Sequence, residues 1–264
     1  MKILLHGCNG RMGQVMTRVL AAEPDMEVVA GVDVDPRRCE CDYPVYASLE
    51  EAAESSKTNG TVRAGILIDF SHHTTLEALL KYGLAHRIPL LICTTGFTPE
   101  ERKRMVEASA SVPILNSSNM SLGVNLVMSL VRQAAEVLRE SFDVEIVEKH
   151  HNQKVDSPSG TALMIAEAIK SSLEKGSFGE VDLKYGRHSK SDKRTNREIG
   201  VHSVRGGSIV GEHEVIFAGQ GEVIEISHSA LSRDVFAYGA VRAARFLAGK
   251  GPGLYSMKDV IEAR

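Results

Sequence analysis

Short apolar runs alternate with stretches of helical spacing through the first 120 residues. Residues 2 to 7 read as a strand, and Arg11 to Ala22 places Met12, Val15, Met16, Val19 and Leu20 on one side of a helix. Met26 to Val32 is a second strand. Further apolar runs at Ile66 to Phe70, Pro89 to Cys93 and Pro113 to Leu115 alternate with helical stretches near 48–56, 73–86 and 98–110. Strands alternating with helices predict an α/β domain with a doubly wound parallel sheet of Rossmann-like type.

The pattern changes near Ser121. A long helix, Leu122 to Glu140, leads into a stretch from Phe142 to Ile146 that alternates with period two, so one of its faces is solvated or lines a cavity. A helix near 161–174 and a polar stretch to about residue 198 follow. Three strand-like runs then come in close order, at Ile199 to Val204, Gly211 to Phe217 and Glu222 to His228. They predict a smaller α+β domain with an antiparallel or mixed sheet. A final amphipathic helix, Val235 to Leu247, is expected to return to the first domain. The expected boundaries are 1–120 with 231–264 for the first domain and 121–230 for the second.

Composition narrows the function classes. With 43% hydrophobic and 25% charged residues in 264, the chain is long enough for two modest cores. A net charge of −3 with both signs interspersed offers no basic stripe for a phosphate backbone, which argues against nucleic acid. The apolar start, Met1 to Leu5, ends at His6 and Gly7, too short for a signal or membrane segment, so a cytoplasmic place is expected with no membrane partner. Cys39 and Cys41, one residue apart, suggest neither a disulfide framework nor a four-ligand zinc pattern. Cys8 and Cys93 read as small apolar residues at strand ends.

Gly7-Cys8-Asn9-Gly10-Arg11-Met12-Gly13 sits between the first strand and the first helix, the context a phosphate-binding turn requires. Glycine lets backbone approach a pyrophosphate, and the helix N-terminus directs N–H groups and a positive dipole end toward it. The spacing is GxxGxxG. Asn9 stands where the common fingerprint has its second glycine, and Asn tolerates the left-handed region that such a turn uses. Asp33, at the end of the second strand, lies roughly 20 residues past the turn, where a carboxylate accepts ribose hydroxyls and favours NAD(H). Arg37 and Arg38 keep a 2′-phosphate, and so NADP(H), open. His72 and His73 read as helix-start polar residues, with a place lining the cofactor cleft as the alternative.

The densest chemistry lies at 148–162, EKHHNQKVDSPSGTA, where two imidazoles and an ammonium precede a helix. Ser157 and Pro158 read as N-cap and first helical residue, which puts the N–H groups of Gly160 and Thr161 in the first turn, suited to a ligand carboxylate. A metal site built from Glu148, His150 and His151 competes, but adjacent strand histidines point to opposite faces and Lys154 would place a positive charge beside the ion. A solvated polar loop with incidental histidines is the plainer alternative.

Five runs together, HGxxGRMG at 6–13, CTTGF at 93–97, NMSLGVN at 119–125, HHxxKxDSPSGTA at 150–162 and VRGGSIVGEHEVIFAG at 204–219, resemble the 4-hydroxy-tetrahydrodipicolinate (dihydrodipicolinate) reductases over nearly the whole chain. The resemblance implies an NAD(P)H domain at both chain ends, a central domain that binds the substrate and builds a homotetramer, and reduction of a small cyclic dicarboxylate in lysine and diaminopimelate biosynthesis. His150 and Lys154 would handle the proton, and His151, Gly160 and Thr161 would hold substrate carboxylates. Cys93-Thr94-Thr95 and Ser117-Ser118-Asn119-Met120 would contact the nicotinamide half. Two positions depart from the family's pattern: Cys93 replaces a common glycine, and Val34 follows Asp33 where an arginine able to grip a 2′-phosphate can occur.

On this basis Lys154 is the expected proton donor, with His150 stabilising charge or exchanging a proton. No metal is expected. Closure of the domains is expected, with Asn119 to Ser121 and Ser229 to Arg233 as candidate hinges. Two other readings stand beside it. Another two-domain dehydrogenase, such as an aspartate or homoserine enzyme, explains the glycine turn but not the HHxxK run, and a non-catalytic dinucleotide sensor predicts no hydride transfer.

Overall fold

The computed structural model describes residues 1–59, 64–138, 141–175, 179–188 and 193–263. The chain divides into one unit of Met1–Leu122 with Arg233–Arg264 and a second of Gly123–Ser232.

In the first unit, β1 (Lys2–His6), β2 (Glu27–Val32), β3 (Val45–Tyr46), β4 (Ile66–Asp69), β5 (Leu90–Ile92), β6 (Pro113–Asn116) and β12 (Gly253–Tyr255) form one sheet in the order β12-β6-β5-β4-β1-β2-β3. Every pairing is parallel. Because alternate residues of a strand face opposite ways, the sheet feeds two cores. Ile3, Leu5, Ile66, Ile68, Leu91 and Leu115 pack with α1 (Arg11–Ala21), α7 (Asp234–Ala248) and α8 (Met257–Glu262). Leu4, Leu67, Leu90, Ile92 and Ile114 pack with α2 (Leu49–Asn59), α3 (Leu76–His86) and α4 (Pro99–Ser109). Burial on both faces is why these strands read as apolar runs without alternation. The final helix does return to this unit, beside α1, where Arg245 is bonded to Glu23 and Asp25.

The second unit is built on a mixed sheet, in the order β11-β10-β7-β9-β8, of β7 (Asp143–His150), β8 (Asp182–Tyr185), β9 (Glu198–Arg205), β10 (Gly211–Ala218) and β11 (Val223–Ala230). Strands β7, β8 and β9 run parallel to one another, and β10 runs antiparallel to both of its neighbours, β7 and β11. One face packs Val144, Ile146, Ile199, Val201, Val215 and Phe217 against Val127 and Val131 of α5 (Leu122–Leu138) and Ile165 and Ile169 of α6 (Gly160–Leu173). The other face carries Glu145, Lys149, His202 and Glu212, with Glu145 accepting from Arg194 Nε at 3.0 Å and paired with His202 Nε2 at 2.7 Å.

Four elements escaped the sequence reading. Strands β3, β8 and β12 have two, four and three residues, too few to show a period, and α8 is a six-residue helix fixed by a Ser256–Asp259 capping box. The predicted end of α5 at Glu140 falls outside the described residues.

Gly239 tests how closely α7 packs. A Cβ there would lie 1.7 Å from the Met120 carbonyl oxygen, backbone that cannot swing aside. Alanine ordinarily favours a helix over glycine by about 1 kcal/mol. Here the overlap wins, and Gly239→Ala is expected to lower stability by roughly 1–3 kcal/mol, read as a lower urea midpoint.

Candidate active site

The carboxyl ends of β1 and β4 flank the point where strand order reverses, the place where open parallel sheets bind ligands. His6 and Asp69, the last residues of these strands, are joined there, Nδ1 to Oδ1 at 2.8 Å. The chain leaves β1 through Gly7 at φ +76°, where a Cβ would lie 2.7 Å from the Phe70 carbonyl oxygen. Gly13 lets α1 rest on the turn, since a Cβ there would lie 2.1 Å from the Gly7 carbonyl oxygen. Gly10 caps α1 without a side-chain hydrogen bond, and no acidic residue follows in the first turn. The positive end of α1 is thus uncompensated, and its turn fits a pyrophosphate.

Asn9 does not use left-handed backbone: among the described non-glycine residues only Arg87 has positive φ. Its side chain is instead fully buried, with Nδ2 donating to the Asp35 carbonyl at 2.7 Å, so a side-chain hydrogen bond shapes this slot. The Asn9 N–H donates to Asp33 Oδ2 at 3.0 Å and the Asp35 N–H to Asp33 Oδ1 at 3.1 Å, which fixes the carboxylate at the end of β2. Each oxygen keeps a lone pair for a ribose hydroxyl. Arg11 is exposed and Met12 half-buried. Burial, then Asp33, pushes the Cys8 thiol up to about 12, and burial with Asp69 holds Cys93 well above its ordinary range, which disfavours the thiolate at both.

Cys93, Thr94 and Thr95 follow β5, and Ser117 to Met120 follow β6, the adjacent strand. Ser117 N–H donates to the Ile92 carbonyl at 3.4 Å and Ser117 Oγ to the Asn119 carbonyl at 2.8 Å, so the two segments are held side by side. Thr94 Oγ1 is buried with no hydrogen-bond partner among the described residues. A polar group so placed fits a ligand amide. His72 caps the short turn before α3, and His73 pairs with Glu101 at 3.2 Å, helix-start roles as expected.

In the second unit, β7 alternation turns Glu148 and His150 to the α6 face and leaves His151 just past the strand end. Glu148 is fully buried. Its Oε2 lies 2.6 Å from His150 Nδ1, Arg205 forks across both oxygens at 2.8 and 2.7 Å, and the Ser159 N–H donates to Oε1 at 3.1 Å. Ser159, not Ser157, caps α6: its Oγ accepts from the Ala162 N–H at 3.1 Å, and Pro158, joined by a cis bond to Ser157, lies outside the helix. Gly160 and Thr161 are therefore the first two helical residues. The expectation for their N–H groups survives a two-residue shift of the cap.

Lys154 Nζ pairs with Asp156 Oδ1 at 2.8 Å, and the Asp156 carboxylate also takes the Gly160 N–H. One of the chain's own carboxylates is thus held between an ammonium and a helix start. Arg205 reaches the Asp156 carbonyl as well, at 2.7 Å, fixing the loop. Within this unit His150, Lys154, Gly160 and Thr161 thus share one corner, with His151 beside them, while the glycine turn, Asp33 and the segments after β5 and β6 lie in the first unit. The sequence reading gave no role to Ser159, Arg205 or His213, whose Nε2 lies 2.9 Å from Ser159 Oγ. Among the described residues no three His, Cys, Asp or Glu side chains form a metal-holding group.

The electrostatics follow from burial and partners. Burial pushes Glu148 up, but Arg205, Ser203, His150 and the Ser159 N–H outweigh it and hold the carboxyl at about 2. Burial lowers His150, opposed by Glu148 and reinforced by Lys154 and Arg205. Burial, then His150, lowers His213 to about 4.

His213 has a consequence for stability. Its unfolded form takes a proton below about 6.5, whereas the folded form waits until about 4, so stability is full above the first value and falls with acidification between them. His150 and His228 are lowered too and act in the same direction. From pH 7.5 to 5 the His213 share is roughly 2 kcal/mol. Urea unfolding at both pH values should show the loss, and His213→Asn should shrink it.

The chain matches two family models, described as dihydrodipicolinate reductase, N-terminus, over residues 1–120 and dihydrodipicolinate reductase, C-terminus, over residues 123–261. It is 51% identical over 261 residues to a 4-hydroxy-tetrahydrodipicolinate reductase of Caldanaerobacter subterraneus subsp. tengcongensis, covering 99% of this chain and 98% of that one. A protein of the same name from Clostridium tetani is 45% identical over 262 residues, covering 99% and 97%. Among solved structures, a dipicolinate-bound dihydrodipicolinate reductase from Paenisporosarcina sp. TG-14 gives a TM-score of 0.78 at 23% identity, covering 97% of each chain. GenD2 from gentamicin A biosynthesis, in complex with NAD, gives 0.59 at 14% identity, covering 99% of this chain and 90% of that one. These two likenesses show the fold, and the sequence matches show that the chain belongs to the dihydrodipicolinate reductase family.

Proposed function

We propose that this protein reduces 4-hydroxy-tetrahydrodipicolinate to tetrahydrodipicolinate with NADH or NADPH, in lysine and diaminopimelate biosynthesis. One observation carries the reading: relatives at 51% and 45% identity, matched end to end, bear the name of that activity. The carboxylate already seated between Lys154 and the start of α6 supports a dicarboxylate substrate.

The first unit is the dinucleotide-binding domain. Gly7 to Met12 hold the pyrophosphate, Asp33 the adenosine ribose, and the segments 93–95 and 117–120 the nicotinamide half. Bound there, a reduced nicotinamide supplies a hydride. The overall conversion also consumes one proton and releases water. Lys154 donates that proton from Nζ, and His150 steadies the developing charge or exchanges the proton onward through Nε2. His151 and the N–H groups of Gly160 and Thr161 hold the substrate carboxylates, which orients the ring. Asp33 followed by Val34 favours NADH. The second unit is also the seat of a homotetramer: its sheet leaves Val204, Val223 and Ile224 exposed, apolar surface that association would cover. A cytoplasmic location is part of this reading. No helix among the described residues is long and apolar enough to cross a membrane.

The direct test follows NADH and NADPH absorbance with substrate made in situ from pyruvate and aspartate semialdehyde by a synthase. Oxidation that depends on this protein, faster with NADH, is expected. No oxidation by folded protein that still binds dinucleotide would favour a sensor or another reductase. His150→Gln and Lys154→Met should each lower kcat about 10²- to 10⁴-fold. Thr161→Val should act on KM with kcat nearly kept. Full activity in the first two variants removes their assignment, and light scattering at the mass of one chain removes the tetramer.

A further inference from the structure

The reading above gives Glu148 no part in the chemistry, yet donors from four residues converge on it. Arg205 lies across both oxygens, Ser203 adds a hydroxyl, the Ser159 N–H meets Oε1 and His150 Nδ1 meets Oε2. The side chain is fully buried, so it cannot meet a substrate. We infer that Glu148 is a positioning residue: it fixes His150 in the tautomer with hydrogen on Nδ1, frees Nε2 for proton exchange, and anchors the start of α6 through Ser159.

The tautomer follows from donor and acceptor bookkeeping. A carboxylate under a guanidinium fork is an acceptor only, so at 2.6 Å the hydrogen must sit on His150 Nδ1. Nε2 then carries the lone pair. It points toward Gly211, the first residue of β10, where a Cβ would lie 3.0 Å from it. The glycine leaves that side of the ring open. The groups facing His150 are Glu148 on its own strand, Arg205 on β9, Lys154 in the following loop and His213 on β10, the last with its ring 5.2 Å away and nearly edge-on. Glu148 alone among these is negative. It stabilises an imidazolium formed when Nε2 takes a proton, while Arg205 and Lys154 oppose one. Removing its charge must lower the His150 pKa.

The inference rests on His150 being an acid–base group, and the experiment separates the two. In the unmodified enzyme with ¹⁵N-labelled histidine, long-range ring ¹H–¹⁵N spectra at pH 8 should show His150 protonated at Nδ1 and bare at Nε2, its signals identified by their loss in His150→Gln. In Glu148→Gln, kcat should fall about 10- to 100-fold with KM nearly kept. The limb of the kcat–pH profile that His150 governs should move to lower pH, by about one unit. Glu148→Asp, which keeps the charge, should restore the position of that limb. A hydrogen on Nε2 in the unmodified enzyme, or an unmoved limb in folded Glu148→Gln, overturns the inference. Full turnover in His150→Gln would instead remove the catalytic reading of His150, and the ring spectra would still decide whether Glu148 sets its tautomer.

Discussion

A buried carboxylate and the guanidinium across it organise the second unit. Taking two such ions out of water costs several kcal/mol each, which attraction offsets only when the remaining lone pairs are filled. Glu148 meets that condition by drawing in groups from separate parts of the chain: Arg205 and Ser203 from β9, His150 from β7 and the backbone of Ser159 at the head of α6. The need to satisfy one charge therefore fixes the relative placement of two strands and a helix start. Arg205 extends the arrangement to the Asp156 carbonyl, and the Asp156 carboxylate extends it to Lys154. The imidazole, the ammonium and the first turn of α6 are thereby fixed to one another.

The first unit solves a different problem, bringing backbone close to backbone. Gly7 and Gly13 are glycine because any side chain would overlap carbonyl oxygens of Phe70 and Gly7. Asn9 shows that the remaining slot needs no glycine. Its buried amide bonds the Asp35 carbonyl, and its N–H bonds the Asp33 carboxylate just past β2, so the turn and that acid are one hydrogen-bonded piece.

How much of this could be read from the sequence depended on the range of the interaction. Strands β1, β4 and β5 and helices α1, α5 and α7 carry their pattern within a dozen residues and stood out, as did the glycine turn and the start of a helix near Gly160. The N-cap was misplaced at Ser157 because Ser-Pro is the common helix opening, whereas Ser159 wins by reaching the Ala162 N–H and the His213 ring together. Arg205 was quoted only as part of a motif, because its partner lies 57 residues away and meets it through parallel pairing of β7 with β9. Strand β8, at the sheet edge with Asp182 and Lys184 in four residues, shows no apolar period at all.

The two units differ in what they say about chemistry. The fold is shared with GenD2 at 14% identity and by itself leaves the reaction open. An aspartate or homoserine dehydrogenase, or a sensor, would accept the same glycine turn. What none of them requires is an imidazole held by a buried carboxylate next to an ammonium that holds a carboxylate at a helix start. In the proposed reading each part of that corner has a task on an anionic substrate that must gain a proton: the helix start would orient it, the ammonium would neutralise it and carry a hydrogen, and the imidazole would present a ring nitrogen whose basicity burial lowers and a buried carboxylate raises. The proposed reaction therefore rests on the stretch from Glu148 to Thr161 and on the β9 and β10 residues that hold it in place.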